Sequence, residues 1–121
     1  MGRGGKSYQT NSKMKNCDPH ILSQGPHFSL THCDRCQHIG LYYKNLLIGY
    51  SRKHFARFVE NYSKINFNHH AVYFPDESAR IIIKTPHKDI QINLDFQEFT
   101  ELKNLLQESA LLLKAYELIK A

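Results

Sequence analysis

Cys17-Asp18-Pro19-His20 and, twelve residues on, Cys33-Asp34-Arg35-Cys36 hold every cysteine of the chain. A C-x2-H followed by a C-x2-C offers two short-spaced pairs of soft ligands joined by one loop. A two-residue spacer lets the backbone turn once around an ion, so both side chains of a pair reach it at about 2.0–2.3 Å. The pattern predicts tetrahedral zinc held by Cys17, His20, Cys33 and Cys36. Three thiolates and one imidazole close the coordination sphere, leaving no position for water or substrate, so the metal is expected to be structural. His32 and His38 flank the second pair and His27 is near, and each is an alternative fourth ligand.

Outward from this segment, His27 to His32 alternates, with Phe28 and Leu30 on one face, as a half-buried strand does. Ile39 to Tyr43 departs as a second strand, so the C-x2-C occupies a hairpin turn, as in a zinc knuckle. Lys44-Asn45 then forms a two-residue connection to a strand over Leu46–Tyr50, Asn being tolerant of positive φ. Ser51 supplies an N-cap hydroxyl, and Phe55, Phe58, Val59, Tyr62 and Ile65 recur at helical spacing, predicting a helix over about 52–64. Strands are expected at Ala71–Phe74, Arg80–Lys84 and Asp89–Leu94, separated by turns at Pro75 to Ser78 and Thr85-Pro86. Asp95 and Glu98 form a capping box before an amphipathic helix reaching about Lys120. Leu111, Leu112 and Leu118 widen its apolar face beyond what one sheet covers, which suggests a homo-oligomer or a partner groove.

The segments Ile48–Phe58 and Ile92–Leu102 match at their apolar positions and caps, so the chain reads as two strand-strand-helix units. The fold class is therefore α+β: an antiparallel sheet with two helices on one face and the N-terminal zinc-knuckle hairpin at its start. Residues 1–16, rich in Gly, Ser, Asn and Lys, are expected to be a disordered basic tail, and 17–121 one zinc-stabilised domain. Gly2 to Ser7 echoes a phosphate-binding loop, but the spacing is two residues short and no strand precedes it.

The net charge of +5 is unevenly spread. Residues 1–57 hold nine Lys/Arg and two Asp/Glu, whereas 58–121 hold seven and nine. The basic half permits a polyanion contact through Arg35, Lys44, Arg52, Lys53 and Arg57, with Tyr42, Tyr43 and Tyr50 as stacking surfaces. Three cysteines and no secretory leader fit a reducing, cytoplasmic setting, and no apolar run is long enough for a membrane span. A redox role for Cys33 and Cys36 fits less well, since thioredoxin-type pairs open a helix and strands flank this one. Catalysis lacks a motif: His69, His70 and His87 have no Ser, Asp or Glu at a spacing that defines a triad.

Cys17-x2-His20, Cys33-x2-Cys36-x2-Ile39-x-Leu41, Asn45, Leu46, Ile48 and the Phe55-x2-Phe58 helix together resemble a small bacterial family of unknown function that begins with such cysteine pairs. The likeness covers about residues 17–115, implies a bacterial origin and a metal site, and carries no activity. The hairpin also resembles zinc-ribbon knuckles in general. The function expected is a non-enzymatic, zinc-stabilised binding or adaptor domain with a protein partner. The alternative is RNA or DNA binding through the basic half, and a metal-dependent or thiol redox enzyme is less favoured.

Overall fold

Period-two alternation from His20 to Ser51 drives an antiparallel meander in a computed structural model that describes residues 18–120. Its strands are β1 (His20–Gln24), β2 (Phe28–Cys33), β3 (His38–Tyr43) and β4 (Leu46–Ser51). Along β3, Ile39, Leu41 and Tyr43 are buried while His38 and Tyr42 are exposed, so one face meets the core and the other faces outward. The β3–β4 connection is the two-residue Lys44-Asn45, but positive φ falls on Lys44 (56°) rather than on Asn45.

The chain then enters α1 (Arg52–Ser63), capped by Ser51, whose Oγ accepts the His54 amide at 3.1 Å. A one-turn helix, α2 (Phe67–His70), follows on the Asn66 cap and is absent from the sequence pattern because four residues show no period. A second meander comprises β5 (Val72–Tyr73), β6 (Ala79–Lys84) and β7 (Gln91–Leu94). The capping box forms as expected: the Glu98 amide donates to Asp95 Oδ1 at 2.8 Å, and the Asp95 amide donates to Glu98 Oε1 at 3.1 Å. It opens α3 (Phe96–Lys120).

The class is α+β with antiparallel sheets, and both strand-strand-helix units are present as β3-β4-α1 and β6-β7-α3. The strands divide into a four-stranded and a three-stranded meander, and α3 packs on β1 and β2 of the first and on β6 and β7 of the second. Its Leu102, Leu106 and Leu113 meet Leu30, Leu41, Ile83 and Leu94 in one buried cluster. An aromatic series binds the units: Tyr50 stacks on Phe58 at 5.0 Å, and Tyr62 stacks on Phe99 at 4.9 Å. The Tyr62 hydroxyl donates to the Phe99 carbonyl at 2.9 Å, so burial of this phenol leaves its donor satisfied. No helix among the described residues is long and apolar enough to cross a membrane. Cys17 and the segment read as a basic tail lie outside the described residues.

Candidate metal centre

The turn between β2 and β3, residues 34–37, is closed by the Gln37 amide, which donates to the Cys33 carbonyl at 2.9 Å, and Gln37 adopts φ 56°. This reversal brings the two thiols of the C-x2-C together without joining them in a disulfide. The Cys36 amide points at Cys33 Sγ across 3.5 Å, and the amides of Asp18 and Arg35 approach the same sulfur. Hydrogen bonding from the Cys36 thiol, then from these amides, brings the Cys33 thiol down to about 7, although its burial acts in the opposite direction. A buried sulfur surrounded by donors favours the thiolate, the form that ligates soft metals. The turn thus supplies two thiols of the kind a soft metal takes.

The histidines separate by strand register. His20 sits opposite His32 across β1 and β2, with ring centroids 5.5 Å apart, and its other edge meets Tyr116 of α3 at 5.6 Å. His32 is 2% exposed, with Nδ1 3.4 Å from Asp34 Oδ1. His38 is exposed and lies directly opposite Cys33 in the β2–β3 register. His27 precedes the far end of β2, six residues or roughly 20 Å of strand from Cys33. There its Nδ1 pairs with Glu101 Oε1 at 2.8 Å, which removes it as a ligand for the turn.

Of the four predicted ligands, Cys33 and Cys36 are brought together, His20 is one register pair away from Cys33, and Cys17 is outside the described residues. Among the described residues, no three His, Cys, Asp or Glu side chains form a metal-holding group.

The basic residues are dispersed. Arg35 is exposed in the C-x2-C turn, whereas Lys44 lies at the opposite end of β3, its Nζ 5.1 Å over the Tyr43 ring. Arg52 pairs with Glu117 of α3 and donates to Gln37 Oε1 at 3.3 Å. Lys53 and Arg57 are exposed on α1. Tyr43 and Tyr50 are buried and thus unable to stack on bases, a correction to the expected aromatic platform; Tyr42 alone of the three is exposed. His69, His70 and His87 are exposed, and His70 Nδ1 is engaged with the Asn66 carbonyl at 2.9 Å.

Sequence reasoning missed the role of Glu101. Its carboxylate accepts the His27 and Phe28 amides at 2.8 and 3.0 Å besides the His27 ring, tying α3 to the β1–β2 turn. Glycine at position 25 leaves room for this carboxylate, because a Cβ there would fall 2.5 Å from Glu101 Oε2. No local pattern signals a pairing across 74 residues.

Comparison with curated proteins and with solved structures found no match. The family of unknown function DUF6686 matches residues 14–120, nearly the whole chain, and the protein belongs to it.

Proposed function

We propose that this chain is a non-enzymatic, zinc-stabilised adaptor domain that binds another protein, its metal held by Cys17, His20, Cys33 and Cys36. The observation that carries the metal reading is the turn that sets the Cys36 amide 3.5 Å from Cys33 Sγ and leaves both thiols free of a disulfide. Four protein ligands leave no open coordination position, which is why the role proposed is structural rather than catalytic. Among the histidines, His20 keeps the spacing of the first pair, and His32, next to Cys33, and His38, opposite it, are the competing ligands.

A protein partner is favoured over a nucleic acid because the cations do not form one surface. Arg35 and Lys44 stand at opposite ends of a six-residue strand, roughly 20 Å apart. Arg52 is already paired with an acid.

Thermal melting with and without a strong chelator tests the metal. Closing the site contributes folding free energy, so chelation should lower Tm by at least about 10 °C, and added zinc should restore it. An unchanged melt would overturn the reading. His20→Ala should reproduce the chelated melt while His38→Ala should not, and the reverse result would transfer the fourth ligand to His38. Retention on nucleic acid that is lost with rising salt, and lost when Arg52, Lys53 and Arg57 become Ala, would displace the protein-partner reading.

A further inference from the structure

Helices α1 and α3 run antiparallel where they meet, since Arg52 at the start of α1 pairs with Glu117 near the end of α3. Between them lies an open groove of about 500 Å³, floored by Phe55, Ala56, Val59, Ala110 and Leu113. Ala56 on α1 and Ala110 on α3 are the small side chains of the lining, which lets a third helix approach closely. Leu111 and Leu118 of α3, 70% and 77% exposed, are not part of the groove lining.

Charge at the rim is selective. Arg52 is neutralised by Glu117, and Glu60 by Lys64 at 3.7 Å. Lys53 and Lys114, which also line the groove, have no ion pair among the described residues, so the rim presents uncompensated positive charge. A groove with an apolar floor and two lysines on its edges suits an apolar stripe flanked by carboxylates.

We infer that this groove receives an acidic amphipathic helix of a partner protein, its apolar residues at i, i+4 and i+7 on the alanine floor and its Asp/Glu side chains on Lys53 and Lys114. The inference rests on the adaptor reading and gives the partner a chemistry. It adds a third helix to the α1–α3 pair.

The test uses the full zinc-loaded chain and a synthetic helix of about four turns with Leu at those positions, Glu on both flanks and one Trp. The protein itself has no tryptophan, so peptide fluorescence reports binding alone. Saturable binding is expected, with amide shifts centred on Ala56, Val59 and Ala110 in a nitrogen-proton NMR spectrum. Lys53→Glu combined with Lys114→Glu should weaken it about tenfold. Ala56→Phe, at an exposed position that only fills the groove, should abolish it. Each variant should keep its zinc and its melting temperature, so failure here is distinguishable from failure of the metal reading.

Absence of saturable binding, shifts located elsewhere, or equal binding of a Lys-flanked peptide would overturn the inference. So would a concentration-dependent dimer that Ala56→Phe dissolves, because the occupant would then be a second copy of this chain.

Discussion

Cys33 is surrounded by donors before any metal is considered, and the same logic of satisfied buried groups governs two carboxylates elsewhere in the chain. Glu98 is buried, and its Oε2 accepts the Tyr43 hydroxyl at 3.0 Å while its Oε1 serves the capping box. Burial, and then the bond to Glu98, pushes the Tyr43 phenol up to about 12. Tyr43→Phe should cost about 1–3 kcal/mol in urea denaturation, because it leaves a buried carboxylate oxygen without its donor. A neutral substitution would show that water replaces the hydroxyl. His27 is exposed, and its hydrogen bond to Glu101 raises its pKa above the ordinary 6.5. A raised folded-state value means that the contribution is fully present below the unfolded pKa and is lost as pH rises through the folded one. The stability gap between wild type and Glu101→Gln should therefore be widest near pH ~5.5 and narrower near pH ~8. A gap that grows with pH would contradict the pairing.

At the scale of elements, two hairpins each run into a capped helix, and the caps set where the helices begin. Ser51→Ala and Asp95→Ala should each cost about 1 kcal/mol, measured as a shift in denaturant midpoint. The two should be similar, since each removes one side-chain acceptor from a first-turn amide, and the Asp95 backbone amide can still donate to Glu98. These elements were legible because their signals are local: alternation in β2 and β3, a hydroxyl before Phe55 and Phe58, and an acid three residues from its partner at Asp95. β1 leaves no alternating signal in the sequence, because its apolar face is broken by a register shift between Ile21 and Ser23. That irregularity buries both Leu22 and Ser23, and Ser23 is satisfied by the Ser109 hydroxyl at 2.7 Å and the Leu105 carbonyl at 3.2 Å on α3. The division into two sheets was equally invisible, since hydrophobic period says which face of a strand is buried but not which strands are neighbours.

Across the whole molecule, α3 is the common wall of both sheets, and the C-x2-C turn stands close to where its last turns meet α1, through Gln37, Arg52 and Glu117. The proposed zinc therefore braces one end of the meander, while Glu101 clasps the other end at His27. The C-x2-C turn was readable from spacing alone. Its surroundings were not, because the Asp18 amide, the facing His20 and His32 and the neighbouring α1 reach it only through the fold. The most direct test is the metal content of the purified chain by native mass spectrometry, on wild type and on Cys33→Ser and Cys36→Ser variants. One zinc per wild-type chain, lost in both variants, is the predicted result. A metal-free wild type with three thiols titrating under native conditions would contradict it.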